Sequence, residues 1–202
     1  LIVNYLLEPV DGDGDRAILV DEKGREITGD QILLICARML KQQGKLANNL
    51  LVSTVMSNLG LTLACKKYGI ANHAAKVGDR YVLADMQRLG AVLGGEDSGH
   101  VIFLDHHTTG DGLVTALQVI GVMLRTGKPL SELAGAMEVL PQRLINIDVA
   151  RKPEIATVPE IVAAIQQVEA ALGEAGRVLV RYSGTQNMCR VMVEGPTREA
   201  TD

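Results

Sequence analysis

Polar and apolar positions alternate along this chain in two rhythms that exchange places. Ile32, Leu33, Ile35, Cys36, Met39 and Leu40 recur at helical spacing, from Asp30 as the expected N-cap to Gly44. Leu50–Val55 is a short β-rich run, and Ser57 is placed to cap a helix through Leu61 and Ala64 that stops near Gly69. A strand at Asn72–Val77 and a helix at Asp79–Leu89, stopped by Gly90, repeat the alternation. Strands at Ala91–Gly94 and Val101–Leu104 follow, then a long helix Gly112–Arg125 capped by Asp111 and another from Ser131 through Met137. This predicts a layered α/β domain with a mixed sheet over about residues 29–140.

Pro141 marks a change. Leu144–Val149 reads as a strand and Arg151–Glu154 as a loop. Thr157 and Glu160 have the spacing of a capping box, with Pro159 in the first turn of a helix to Leu172. Arg177–Tyr182 and Cys189–Glu194 read as strands around a loop, so residues 141–202 are expected to be a small α+β domain. Residues 1–28 are read as the remnant of a preceding domain, with residues 1–10 as a truncated or altered edge.

Apolar residues are 47% of the chain but aromatic ones only 2%, so the core must be built from aliphatic side chains and Met. Twenty basic residues against 24 acidic ones, without a basic run, disfavour a nucleic-acid partner. The three cysteines, Cys36, Cys65 and Cys189, fit buried thiols in a reducing compartment. No apolar run approaches the roughly 18 residues of a membrane span and no signal peptide is visible, so the expected location is the cytoplasm, away from membranes.

Two stretches carry candidate chemistry. In Asp11-Gly12-Asp13-Gly14-Asp15-Arg16, glycines alternate with carboxylates, letting the backbone turn so that the acids converge. Their mutual repulsion calls for a hard cation, Mg²⁺ or Ca²⁺, unless the stretch is a solvated acidic turn. An EF-hand would take Asp11, Asp13, Asp15 and Glu22 as loop positions one, three, five and twelve. Arg16 stands where that loop needs Gly, and Ala17–Val20 followed by the turn Asp21–Gly24 reads as a hairpin, not a helix. In the second stretch, Arg181 to Arg190, a Ser183-Gly184-Thr185 turn is flanked by arginines. It is either a phosphate cradle or a hairpin with solvated arginines.

With Asp79-Arg80-Tyr81 and Gly95-Glu96-Asp97-Ser98-Gly99-His100 added, these motifs stand in an order that resembles the α-D-phosphohexomutases, over about Val10 to Glu194 and most closely their phosphoglucosamine mutase branch. The resemblance implies Mg²⁺ on Asp11, Asp13 and Asp15, with Arg16 as a catalytic residue steadying the loop or touching phosphate. It also implies a sugar-binding loop of Glu96, Ser98 and His100, and a phosphate loop of Arg181, Ser183, Gly184, Thr185 and Arg190. The implied reaction moves a phosphoryl group between two hydroxyls of a hexose phosphate through a bisphosphate, with glucosamine 6-phosphate and glucosamine 1-phosphate as the pair. Phosphomannomutase or phosphoglucomutase activity, or a non-catalytic module binding metal or phosphosugar, are the alternatives. A homodimer is the assembly considered for the intact enzyme. Lys76, Asp79 and Arg80 are further candidates for the cleft, while His73, His106 and His107 are read as structural or loop residues.

This chain departs from the family pattern at Asp97, commonly Gln or Asn, at Tyr182, usually Pro, and at Gln186-Asn187, usually Glu-Pro. Nothing in it matches the Ser-His-Asn-Pro-like motif of the family's phosphoserine. It is therefore expected to be a C-terminal fragment, inactive by itself.

Overall fold

The computed structural model describes residues 12–202, which separate into two compact units, one ending at Glu138 and the other running Val139–Asp202. In the first unit a hairpin of β1 (Leu19–Val20) and β2 (Glu26–Ile27) leads into α1 (Gly29–Gln42). There follow β3 (Leu50–Thr54), α2 (Leu59–Lys67), β4 (Ala71–Ala75), α3 (Asp79–Leu89), β5 (Leu93–Gly95), β6 (Val101–Phe103), α4 (Gly112–Thr126) and α5 (Leu130–Ala134). The sheet order is β4-β3-β5-β6, parallel except for the β5–β6 pair. This is the mixed α/β architecture expected from the alternation.

The period-two rule sorts the strand residues onto the sheet's two faces. Leu51, Leu93, Val101 and Phe103 pack with α1, α2, α4 and α5, while Val52, Ala75 and Ile102 pack with Val82 and Met86 of α3. Helix α1 is buried nearly all round at Ile32–Ala37, which fits a central element rather than a surface helix. Ala17, Leu19 and Ile27 belong to the same core. The β1–β2 turn is tied by Asp21, which is fully buried. Burial would raise its carboxyl, but hydrogen bonds from Arg25 and the backbone N–H of Lys23 hold it below the ordinary carboxylate range.

In the second unit, β7 (Gln142–Asp148), α6 (Pro159–Leu172), β8 (Arg177–Tyr182), β9 (Met188–Glu194) and a final turn α7 (Arg198–Thr201) form an antiparallel sheet of order β7-β9-β8 with a helix packed on β8. The α+β reading holds.

Several expected caps move. Helix α1 is capped by Thr28, which accepts from Gln31 N–H while the Gln31 side chain accepts from Thr28 N–H, a complete capping box. Asp30 lies inside the first turn instead. Asn58, not Ser57, caps α2, and Asp111 caps α4 as expected. Ser131 caps nothing. Its N–H and hydroxyl donate to Glu22, whose carboxyl is held low by that hydroxyl, so Glu22 is not turned toward the acidic loop as an EF-hand would need. Among the described residues the Thr157 hydroxyl bonds Glu154 O, and Val158 precedes α6 without a side-chain cap. Thr28→Ala should therefore cost about 1 kcal/mol, and Thr157→Ala less than about 0.5 kcal/mol. Denaturant unfolding followed by circular dichroism checks both, and equal losses would contradict the assignment.

Candidate functional site

Within the acidic stretch, Asp15 is held by a histidine. The buried imidazole of His100 donates from Nδ1 to Asp15 Oδ2 at 3.0 Å, and its Nε2 accepts from Gly110 N–H at 3.0 Å. The backbone donor at Nε2 assigns the proton to Nδ1, so the tautomer is set by the fold. Both ring nitrogens are thus engaged within the protein. Within the described residues the imidazole thus orients Asp15 while also lining the cleft beside it.

The same region is sewn together by backbone. Ala17 N–H donates to Gly99 O at 3.1 Å and Gly112 N–H to Gly14 O at 2.9 Å. A Cβ on Gly110 would sit 2.6 Å from Asp15 O and from the His100 ring, so only glycine permits the approach. Arg16 Nε lies 3.4 Å from Asp15 Oδ1, an exposed pair of small energetic weight.

Glu96 opens the β5–β6 turn, closed by Glu96 N–H to His100 O at 2.9 Å and Gly99 N–H to Glu96 O at 3.1 Å. Its Oε1 accepts from Gly78 N–H, at 2.9 Å, at the N-terminus of α3, where the helix dipole favours a carboxylate. Ser98 is exposed at the tip. Asp15, Arg16, Gly78, Asp79, Glu96, Ser98 and His100 line one open cleft of about 270 Å³. The structure therefore brings the acidic loop and the Glu96–His100 loop together, and adds Asp79. Lys76 and Arg80 turn to the Tyr81 ring, at 6.0 and 4.6 Å from its centre, and do not line this cleft. His73 belongs to a surface cluster with Asp85 and Arg88.

Asp11 lies outside the described residues. Among those described, no cluster of three metal-ligating side chains is present. Asp13 and Asp15 offer oxygen donors alone, which suits a hard cation, and His100 already orients one of them.

In the second unit the chain turns between β8 and β9. Ser183 N–H donates to Met188 O at 2.8 Å, and Gln186 N–H donates to Ser183 Oγ at 3.2 Å, which shapes the loop from within. Arg181 and Arg190 face each other across the β8–β9 ladder. Both Nε atoms are buried without a hydrogen-bond partner among the described residues. Burial, and then the charge of Arg190, lower the Arg181 guanidinium from its ordinary value. Two like charges opposite one another on paired strands are destabilising, and an anion set against them would relieve the repulsion. Lys152 Nζ bonds Ser183 O at 2.8 Å and brings a third positive charge to the loop. Nothing local in the sequence marks Lys152, because its contact spans 31 residues.

Residues 28–140 match the family model described as phosphoglucomutase/phosphomannomutase, alpha/beta/alpha domain III, and residues 144–202 match that of the phosphoglucomutase/phosphomannomutase C-terminal domain. The phosphoglucosamine mutase of Syntrophobacter fumaroxidans is 75% identical over 95% of this chain, and that of Syntrophus aciditrophicus 65% identical over the same share. The chain spans 42% of the length of each. Among solved structures, the N-acetylphosphoglucosamine mutase of Aspergillus fumigatus, in complex with GlcNAc-6P and magnesium, shares the fold at a TM-score of 0.80 and 21% identity, over 95% of this chain and 49% of that one. A phosphoglucomutase/phosphomannomutase family protein from Burkholderia thailandensis does so at 0.73 and 23%, over 95% and 43%.

Proposed function

Because the chain belongs to the phosphoglucomutase/phosphomannomutase family, through its domain III and its C-terminal domain, we propose that it is the sugar- and phosphate-binding part of a mutase interconverting glucosamine 6-phosphate and glucosamine 1-phosphate. The observation that carries the phosphate half is the Arg181–Arg190 pair with its two buried, unpartnered Nε atoms. A phosphate set against them turns repulsion into charge-assisted hydrogen bonds. The Ser183 hydroxyl still has its proton to donate, and the Gly184 and Thr185 amides stand on the exposed rim of the same turn. Lys152 holds the loop from behind through Ser183 O.

For the sugar half, Glu96 is anchored through one oxygen by Gly78, which fixes the direction of the other. With the exposed Ser98 hydroxyl it can hold ring hydroxyls. The preference for glucosamine is supported by relatives up to 75% identical that carry the phosphoglucosamine mutase name.

Asp11, Asp13 and Asp15 would hold Mg²⁺, supplying charge neutralisation to a transferring phosphoryl group. The chain's own part is to aim Asp15, through the Nδ1 proton of His100, and to balance the loop's charge with Arg16. The three cysteines are buried and unbridged, which supports a reducing compartment such as the cytoplasm.

Calorimetric titration tests this reading. The chain should bind glucosamine 6-phosphate more tightly than mannose 6-phosphate, and chelating Mg²⁺ should leave that binding unchanged, because the arginines need no metal. Tighter mannose 6-phosphate binding would favour the phosphomannomutase alternative, and no binding of either would remove the proposal. The full-length protein should convert glucosamine 6-phosphate to glucosamine 1-phosphate, stop on chelation and recover with Mg²⁺.

A further inference from the structure

Asp30, in the first turn of α1, has no solvent exposure. A carboxyl so placed must have its oxygens satisfied or give up its charge. Oδ2 accepts from Asn58 N–H at 2.6 Å, and the Ser57 side chain also bonds this carboxyl. Oδ1 has no hydrogen-bond partner among the described residues. The group that meets this carboxyl is another acid, Asp97 of the β5–β6 loop, whose Oδ1 accepts from the backbone N–H of Asp30 at 3.2 Å. A proton placed between two carboxyls removes their repulsion and makes a hydrogen bond of it.

We propose that Asp30 carries a proton, donates it to the Asp97 carboxylate, and so fastens the Glu96–His100 loop to the start of α1. Asp30 is then a positioning residue, acting on the sugar-binding loop through Asp97. The attachment has two further bonds, Gly29 N–H to Asp97 O at 2.9 Å and Asp30 N–H to Asp97 Oδ1. Burial, and then the Asp97 charge, push the Asp30 carboxyl up to about 8. Cys65 on α2 also faces it, and burial, then the Asp30 charge, raise that thiol to about 12, so it stays neutral. Raising the pH through this range removes the proton, sets two negative charges together and loosens the loop.

The link to sugar binding rests on the reading of residues 96–100 as the sugar loop, whereas the shared proton does not. Carboxyl ¹³C NMR of the aspartate-labelled chain separates the two. The Asp30 signal should titrate near pH 8, the Ser98 and Gly99 amides should follow it, and both effects should vanish in Asp97→Asn, whose amide can donate to an ionised Asp30. Asp30 titrating in the ordinary carboxylate range, or loop amides that ignore it, would overturn the proposal. Glucose 6-phosphate, whose charge is constant above pH 7, should bind roughly fivefold more weakly once Asp30 ionises, the worth of about one hydrogen bond, and Asp97→Asn should not show the loss. Loop amides that follow Asp30 with affinity unchanged would overturn the role in sugar binding while leaving the shared proton in place.

Discussion

Gly29→Ala is expected to destabilise the first unit by about 1–3 kcal/mol and to displace the Glu96–His100 loop. Gly29 begins α1 with its backbone against that loop. An added Cβ would run into Glu96 O and lie 2.7 Å from both Asp97 O and Gly99 N, all backbone atoms that cannot swing aside like a flexible side chain. Helix propensity favours alanine over glycine by up to about 1 kcal/mol, so the substitution sets a local gain against a steric loss. The clash should win because three backbone atoms of one tight turn would have to move together, and His100 sits at the end of that turn. Denaturant unfolding and the amide spectrum of residues 95–100 check this. A variant as stable as the parent, with an unshifted loop, would show that the close approach is not required.

Arg190→Ala should weaken hexose phosphate binding about tenfold to a hundredfold, the loss of one charge-assisted hydrogen bond worth roughly 1.5–3 kcal/mol. The change also relieves the repulsion with Arg181, so the unliganded chain should become no less stable while its affinity falls. Opposite signs for stability and binding are the signature of a site held in wait for an anion. A merely structural arginine would lose stability on removal. Arg190→Lys should fall between, because an ammonium keeps the charge but not the planar pairing with phosphate oxygens. Calorimetry for affinity and thermal unfolding for stability give the two readings.

The strongly periodic elements were readable directly. Helices α1, α3 and α4 lie within a few residues of where apolar spacing places them, because each buries a stripe whose period survives in the sequence. The caps were less legible. Asp30 precedes the apolar run and so resembles a cap, yet Thr28 and Gln31, a visible capping-box spacing, take that role. Thr157 and Glu160 have a similar spacing and do not form one. Local patterns propose a cap, and tertiary packing decides whether the helix begins there.

Contacts distant in sequence were out of reach altogether. His100 and Asp15 are separated by 85 residues, so the support the imidazole gives that carboxylate could not be read from the sequence. The bond between Lys152 and Ser183, and the meeting of Asp30 with Asp97, depend likewise on the folded chain. The motif residues could be singled out from the sequence, but which of them face solvent and which hold the others needed the fold.

We propose that phosphate is taken by the β8–β9 turn, independently of the acidic loop. The most direct test is to titrate the chain with glucosamine 6-phosphate and follow backbone amides by NMR in the parent, Arg190→Ala and Asp13→Ala. The expected result is that the amides of Ser183 to Gln186 shift in the parent and in Asp13→Ala but stay still in Arg190→Ala. Shifts that vanish in Asp13→Ala and persist in Arg190→Ala would place the phosphate at the acidic loop and contradict the account.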